Sequence, residues 1–481
     1  MQNSPLRLLS REDLERIHHA SLRVLDEVGM KVDHAGAREL LEGAGARVDH
    51  DSATVRFPAD LVEKCLALVP REMVYHGRTP EFDFTLTTEG DIYGRVPGGA
   101  TGYIDLVTGE HRRARIADWR EFATLIDALP NINSVSTLHC GDVPPATADI
   151  HSLRALLESQ RKCVLHNAFT RENQPYLYEL MVAVRGSRDA LAERPLVHQV
   201  ASVMSPLYLN EDDAAQILMA CDWGIPVDLP LMPITGVSAP ITVAGSLVQG
   251  LAEYLGSVVL VQTKRPGHPT AFFIDPVVAD MRTGNALFAA PEVGLLVGAI
   301  SQIGTELYGL PVQAIGLAAD GFTTANINLQ KVQQALFQVL AGGRFVVGAG
   351  SIEACMSLSP LQLVMDDEIM TIARRWLKGI DLSDAALAVD VIAAGGPRGD
   401  FMAEDHTIEF MRAGALVDLE LAERDNRGVW EAGGMQTLES KARERGLEIL
   451  RTHQVEPLPD DVLRELAAIT ARADREIARV G

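Results

Sequence analysis

The feature of this 481-residue chain that most constrains its fold is an alternation of apolar and amphipathic segments between Trp119 and Gly396. Short apolar segments of strand length are separated by segments whose apolar residues recur at helical spacing. The predicted strands are 133–140, 162–169, 196–204, 225–234, 270–275, 310–318, 344–350 and 388–395. Strands joined in this way by helices are typical of an α/β protein with a (β/α)8 TIM barrel. An open, doubly wound sheet is the alternative, but no G-x-G-x-x-G motif follows the first strand.

The pattern changes on both sides of this alternation. Residues from about 10 to 30 predict an amphipathic helix that Ser10 can cap and Gly29 can end, and a second helix is predicted over Pro58–Leu68. From Met73 to Arg113, short alternating segments separated by glycine, proline and threonine predict a small antiparallel β-subdomain. We therefore expect an N-terminal α+β subdomain, a barrel and a C-terminal helical segment, over residues 1–115, 116–400 and 401–481.

The composition argues against several classes of protein. The formal charge of -22 disfavours a nucleic-acid partner, because phosphate binding needs clustered lysine and arginine. It would instead attract cationic small molecules through long-range electrostatics. No apolar run reaches the roughly 18 residues that a membrane span needs, and the first ten residues lack the apolar core of a signal peptide. The five cysteines form no CxxC pair, which predicts a reduced, cytoplasmic protein.

Polar residues recur at the predicted carboxyl ends of the strands, where barrel enzymes place their active sites. They predict a polar cavity there, and they include His139, Cys140, His166, Asn167, Asp275, Asp320, Glu353, Asp405 and His406. A metal site is not predicted, because His139 and Cys140 are adjacent and would point to opposite faces of a strand.

Several stretches resemble, in the same order, the trimethylamine methyltransferase family, and the likeness covers almost the entire chain. The N-terminal stretch 9–32 resembles the opening helix of the family, and 105–110 matches its D-x-x-T-G-E segment. Residues 239–245 read A-P-I-T-V-A-G, 280–284 read D-M-R-T-G, and 363–369 read L-V-M-D-D-E-I, each similar to a family segment. Each motif is weak alone, but their shared order is specific.

The resemblance implies a barrel enzyme that moves a methyl group from an amine to the cobalt of a separate corrinoid protein. Founding members use a pyrrolysine, which belongs after the sixth predicted strand, in the segment 319–324 of this chain. That segment reads A-D-G-F-T-T and contains no non-standard residue. The chain therefore resembles the non-pyrrolysine branch of the family, typified by glycine betaine:corrinoid methyltransferases. This implies a quaternary amine substrate, no cofactor bound by this chain itself, cobalamin carried by a partner protein, and a homo-oligomer.

The candidate substrate contacts combine this resemblance with residue chemistry. His406 is the first candidate, because a His-Thr pair after the last strand recurs in the family. Aromatic rings and carboxylates hold quaternary ammonium groups, whereas histidine and asparagine can hydrogen-bond a substrate carboxylate. We therefore predict Phe322 and Tyr103 for the cation, Asp320, Glu353 and Asp405 for charge balance, and His166 and Asn167 for a carboxylate. The sequence does not single out a catalytic residue.

Two alternatives remain open at this point. The enzyme could use another methylated amine or another methyl acceptor, because the segment 319–324 departs from the founding members. A non-catalytic protein that binds small amines is the other alternative. The charged residues retained at the strand ends favour an enzyme.

Overall fold

The computed structural model describes residues 6–477, and its centre is a closed barrel of eight parallel strands. In chain order the barrel strands are Tyr93–Val96, Ile132–Ser136, Cys163–His166, Val197–Val200, Val227–Asp228, Thr270–Phe273, Val312–Ala314 and Phe345–Val347. Each strand pairs with the next in the chain, and the eighth pairs with the first through Phe345 and Tyr93. The predicted TIM barrel is confirmed.

Two of the strand assignments made from sequence are wrong. The first barrel strand, Tyr93–Val96, lies in the region predicted to be a separate β-subdomain, before the expected start of the barrel at residue 116. The predicted eighth strand, 388–395, contains the helix Val389–Gly395. That apolar run is too short for periodicity to separate a strand from a helix. The division into the ranges 1–115, 116–400 and 401–481 otherwise stays a prediction.

The antiparallel segments between Met73 and Arg113 are distributed over both ends of the barrel. The pair Met73–Tyr75 and Phe84–Leu86 covers the amino ends of the strands, where the Tyr75 ring stacks on His198 at 4.1 Å. The pair Gly102–Ile104 and His111–Arg113 lies at the other end, in a sheet with Ser351–Ile352 and Ser357–Leu358. Alternation along the chain identified these strands but not where each would pack.

Helices surround the barrel as the sequence predicts. Those that follow strands one to eight are Ile116–Ala128, Ala148–Ser159, Gln174–Arg185 with Arg188–Glu193, Glu211–Trp223, Val243–Lys264, Pro291–Gln302 with a π-helical turn Ile303–Tyr308, Thr324–Leu340 and Pro360–Lys378. Short 3-10 turns occur at Pro80–Phe82 and Pro145–Thr147. Val243–Lys264 is long and apolar enough to cross a membrane by composition, but most of it is buried inside this protein, so it serves as a core helix.

The N-terminal region packs on that core helix. Its helices are Arg11–Glu27, Ala35–Gly43 and Ala59–Leu68, and its sheet joins Met30–Val32, Arg47–Asp49, Thr54–Arg56 and Tyr208–Leu209. Ser10 caps the first helix in a reciprocal box with Asp13, as the sequence indicates. Gly29 has φ +84°, and a Cβ there would lie 2.3 Å from the Val55 carbonyl oxygen, so glycine is required at this turn. Three further short strands are Ile234–Thr235, Val277–Ala279 and Ala286–Leu287.

The C-terminal region has two different parts. Residues 379–420 contain the helices Asp384–Leu387, Val389–Gly395 and Asp405–Arg412, and none of these residues is buried. Beyond them, Arg427–Ala432 leads into Leu438–Thr452, which packs on Pro360–Lys378, and Asp460–Ile477 packs on Gln174–Arg185. The last two helices therefore close the outside of the barrel.

Candidate active site

A cavity of about 290 Å³ lies at the carboxyl ends of the barrel strands, and we call it the mouth cavity. All eight strands, or the loops that follow them, contribute residues to its wall. One from each, in strand order, is Arg95, Ser136, Asn167, Ser202, Met232, Asp275, Ile315 and Cys355. This is the end at which barrel enzymes carry out their chemistry.

The floor of the mouth cavity is a buried polar network around Arg95. The Arg95 guanidinium donates to Ser136 Oγ at 2.9 Å and to Gln313 Oε1 at 2.9 Å, and lies 3.8 Å from Asp228 Oδ2. Gln313 in turn donates to Asp228 Oδ2 at 2.8 Å. The guanidinium carbon also lies 4.9 Å from the centre of the Phe273 ring. A buried charge is tolerated here because it is paired and hydrogen-bonded.

Asp275 is the exceptional residue of the cavity wall. It follows the sixth strand and its side chain is 9% exposed, yet Oδ1 has no hydrogen-bond partner among the described residues. Burial raises the pKa of this carboxyl to about 7, although Arg95 and the backbone N–H of Ile315 favour the ionised form. A buried, unsatisfied carboxyl oxygen is costly, so this atom marks a place where a ligand can bind.

The opposite side of the cavity is formed by the ends of the second and third strands. His139 and Asn167 line it, and His166 supports it. His166 is 2% exposed, its Nδ1 is hydrogen-bonded to Thr137 Oγ1 at 2.9 Å, and its Nε2 lacks a partner among the described residues. Burial lowers the pKa of His166 to about 3 and also lowers that of His139. Both rings are therefore neutral near pH 7. Asn167 and His139 line the cavity directly.

The loop after the eighth strand reaches the cavity through a strained turn. Glu353, Ala354 and Cys355 all have positive φ, at 55°, 54° and 63°. Three successive non-glycine residues in the left-handed region are unfavourable and persist only where the surrounding structure enforces them. The turn directs Cys355 into the mouth cavity and Glu353 away from it, toward a separate pocket with His111.

Four predicted substrate contacts lie outside the mouth cavity. Tyr103 is buried, donates to Glu121 Oε1 at 3.1 Å and packs against Phe122, so it is a core residue. Asp320 accepts backbone N–H groups of Phe288 and Ala289 at 2.8 and 2.9 Å. Phe322 is 79% exposed on the surface. Glu353 accepts from Ser357 Oγ at 2.6 Å.

His406 and Asp405 are also not brought to the cavity. They open the helix Asp405–Arg412, in the C-terminal part that has no buried residue. The His406 ring stacks on Phe410 at 4.3 Å, and its Nε2 is hydrogen-bonded to the Ala385 carbonyl oxygen at 3.0 Å. The sequence placed them at the mouth because 388–395 was expected to be the last barrel strand; that run contains a helix, so the residues after it do not follow the end of a barrel strand.

The structure brings in residues that were not among the predicted contacts. Arg95 was missed because its strand was assigned to a separate subdomain. Asp275 and Phe273 end the apolar segment T-A-F-F-I-D, and a charged residue closing a buried strand was the signal that could have selected Asp275.

Among residues 6–477, no group of three or more histidine, cysteine, aspartate or glutamate side chains is placed to hold a metal ion.

Comparisons with known proteins agree with this architecture. The family model described as trimethylamine methyltransferase (MTTB) matches residues 1–478. A trimethylamine methyltransferase of Desulfitobacterium hafniense is 30% identical over 425 residues, covering 88% of this chain and 85% of that protein. The glycine betaine methyltransferase of another strain of that species is 25% identical over 422 residues, covering 87% of each chain.

A solved structure shows the same fold. The monomethylamine methyltransferase (MtmB) of Methanosarcina barkeri superimposes with a TM-score of 0.53 over 95% of this chain and 94% of its own. The sequence identity in that superposition is 10%, so the likeness concerns the fold alone.

Proposed function

Because the chain belongs to the trimethylamine methyltransferase family and is a methyltransferase, we propose that it demethylates a quaternary amine of the betaine type and passes the methyl group to the Co(I) of a corrinoid protein. The observation that carries this proposal is the mouth cavity, which combines the unpaired Asp275 carboxyl, the Phe273 ring and the Arg95 guanidinium. These are the groups that recognise a molecule with an ammonium at one end and a carboxylate at the other.

The segment 319–324 supports a quaternary substrate. Transfer of a methyl group from a quaternary ammonium breaks one N–C bond and leaves its electron pair on nitrogen, so a neutral tertiary amine departs. No proton and no special electrophile are needed for that departure. In this chain the segment contains neither pyrrolysine nor lysine. Asp320, its acidic residue, is engaged with backbone N–H groups.

We assign to residues of the mouth cavity the substrate contacts that the sequence predicted for other side chains. Phe273 and Phe288 offer aromatic surface to the methylammonium group, in place of Tyr103 and Phe322. Arg95 makes three side-chain hydrogen bonds through its five N–H groups, which leaves donors for a carboxylate. Asn167 offers a further amide donor. The task of these residues is to hold and desolvate the substrate with one methyl group directed outward.

A corrinoid protein would bind over the open mouth and supply the nucleophile that accepts the methyl group. The loops after the fourth, fifth and eighth strands suit a protein partner because they expose Met204, Met232 and Met356 at 50%, 43% and 56%, and methionine is common at adaptable binding surfaces. We propose no cofactor bound by this chain itself. A cytoplasmic location agrees with its five unpaired cysteines.

A homo-oligomer belongs to the same proposal. The part of the chain from 379 to 420 exposes several large apolar side chains, among them Ile380, Met402 and Leu416 at 82%, 83% and 81%. Large exposed apolar side chains concentrated in one segment favour a protein interface.

A second candidate substrate is a protonated tertiary amine, and one atom favours it. Asp275 Oδ1 accepts from no donor in the described part of the chain, and the N–H of a tertiary ammonium would supply one, whereas a quaternary ammonium cannot. Methyl transfer from such a substrate breaks one N–C bond and leaves its electron pair on nitrogen, so a neutral secondary amine departs as long as the N–H proton stays on the nitrogen.

The test is to incubate the purified protein with reduced cob(I)alamin and separate quaternary and tertiary amines, and to follow methylation of the cobalt by its visible spectrum. We expect conversion with one betaine and none with trimethylamine. The variant Glu353→Gln, in the separate pocket, should retain that activity, whereas Arg95→Met should lose affinity for a carboxylate-bearing substrate. Conversion with trimethylamine alone would support the second candidate. No conversion with any amine, with a working control enzyme, would overturn the proposal.

A further inference from the structure

Asp275 stands apart from the other charged groups of the mouth cavity because no described residue hydrogen-bonds its Oδ1. Its backbone N–H donates to the Leu231 carbonyl oxygen at 2.8 Å, which fixes the residue at the end of the sixth strand. The side chain is nine-tenths buried and lines the cavity, yet Oδ1 has no partner within residues 6–477. An unsatisfied buried carboxyl oxygen does not stabilise the fold, so a ligand-binding role explains it better than a structural role.

The charged and titratable groups that face Asp275 from the other strands supply no unpaired cation to hold its carboxyl in the ionised form. Arg95, from the first strand, lies across the cavity floor but is matched by Asp228, from the fifth. His139 and His166, from the second and third strands, have pKa values lowered by burial and are neutral near pH 7. Burial raises the pKa of the Cys355 thiol, after the eighth strand, to about 11. An ionised Asp275 would therefore be the one negative charge in the cavity wall without a cationic partner.

We propose that Asp275 selects a positively charged ligand by giving up its carboxyl proton when the ammonium group of the ligand enters the mouth cavity. The O–H bond of the acid breaks, its electron pair stays on the carboxylate, and the proton passes to solvent. The cavity thus exchanges a carboxyl proton for the ammonium charge of the ligand. This inference rests on the proposed function, since it concerns the same cavity and the same class of ligand.

The alternative to this exchange is a carboxyl that stays neutral and contributes only shape. The two cases differ in a way that binding can measure. An isostere that lacks the ammonium charge does not stabilise the ionised form of Asp275, so it binds without releasing a proton. Because burial raises the pKa of Asp275 to about 7, the exchange falls in a pH range where proteins are easily studied.

The experiment is isothermal titration calorimetry in buffers of different ionisation enthalpy, which counts the protons released on binding. The probes are glycine betaine and its carbon isostere 3,3-dimethylbutanoate, together with choline and its isostere 3,3-dimethylbutanol. We expect the cations to release roughly half a proton per site at pH 7 and to bind about tenfold more tightly at pH 8 than at pH 6. The isosteres should release none and should show no such rise.

Two variants complete the test. Asp275→Asn should abolish the proton release and the pH dependence of cation binding while keeping affinity for the isosteres. Asp320→Asn is the matched control, since burial also raises the pKa of Asp320 but its oxygens accept backbone N–H groups; it should keep the release. The wild-type comparison of cation and isostere needs no variant, so it remains decisive even if Asp275→Asn is unstable.

The outcomes separate this inference from the proposed function. Equal proton release by cation and isostere, or no binding of either cation at pH 8, would overturn the role of Asp275. Methylation of cob(I)alamin without proton release would leave the methyltransferase proposal standing and remove only the exchange. Proton release without any methylation would support the exchange and remove the proposed acceptor.

Discussion

The loops that follow the sixth and seventh barrel strands each carry an aspartate, Asp275 buried and Asp320 half-buried, and the two carboxyl groups are in opposite situations. Asp320, after the seventh strand, accepts the backbone N–H groups of Phe288 and Ala289, one on each oxygen. Asp275, after the sixth, keeps Oδ1 without a partner in the described chain and lines the mouth cavity. Burial raises the pKa of both. The position of a residue at a strand end therefore does not decide its role, because the local backbone determines whether its oxygens are available to a ligand.

The largest effect is expected where the loops after the seventh and eighth strands are tied together. Lys331 is fully buried and donates to Asp366 Oδ2 at 2.7 Å and to the Leu317 carbonyl oxygen at 2.6 Å. Asp366 also accepts the backbone N–H of Gly350. Lys331→Met leaves the Asp366 charge uncompensated, so the free energy of unfolding should fall by about 3–5 kcal/mol, measured by urea denaturation.

The double variant Lys331→Met with Asp366→Leu is the control for this prediction. It removes both charges, so it should recover much of the loss. A loss in the single variant no larger than that of an exposed lysine, such as Lys64, would show that the pair does not hold these loops.

The second prediction separates the two aspartates by their effect on stability. The folded pKa of Asp275 is raised to about 7 from the ordinary value of 3.8, so the unfolded chain loses its proton first as pH rises. Stability attributable to this residue is complete below about pH 4 and is lost as pH rises to about 7. Asp275→Asn should therefore be more stable than wild type at pH 8, by about 2–4 kcal/mol, and equal to it near pH 4.

Thermal unfolding followed by circular dichroism at several pH values measures this difference. A difference between variant and wild type that does not change with pH would contradict the raised pKa. Glu292→Gln, an exposed position on the following helix, is a suitable control and should show no trend.

The third prediction concerns Asp320, for which the opposite sign is expected at neutral pH. Asp320→Asn leaves an amide NH₂ facing one of the two backbone N–H groups that the carboxylate now accepts. The variant should lose about 1–3 kcal/mol of unfolding free energy, measured by urea denaturation at pH 7. Equal stability of variant and wild type would show that these backbone groups are satisfied in another way.

The same contrast explains how much of the site could be predicted from sequence. The barrel, its helices and the location of polar residues at the carboxyl ends of strands follow from periodicity. The capping of the first helix by Ser10 follows from local chemistry. The sequence does not reveal which strand-end side chains accept hydrogen bonds from backbone N–H groups, as Asp320 does. That depends on how a loop distant in the chain packs against the side chain.

The remaining errors come from long-range packing. The strand that carries Arg95 pairs with strands 36 or more positions away, Ile132–Ser136 and Phe345–Val347, and its own short pattern resembles the antiparallel segments beside it. The apolar run 388–395 pairs with no strand among residues 6–477 and contains an exposed helix instead. His406 was selected on the assumption that this run closed the barrel. The incorrect strand assignment therefore led to the choice of a residue that lies outside the mouth cavity.

The smallest expected effect tests the aromatic part of the mouth cavity. The Phe273 ring lines the cavity and lies under the Arg95 guanidinium, whose carbon is 4.9 Å from the ring centre. Phe273→Leu keeps an apolar side chain but removes the π face, so it should weaken betaine binding by about 0.5–1 kcal/mol, or roughly two- to fivefold. The affinity for 3,3-dimethylbutanoate should change less, because that isostere has no cationic group to interact with the ring. If both ligands lose the same affinity, Phe273 contributes shape alone, and the recognition of charge falls to Asp275, where the comparison with Asp320 places it.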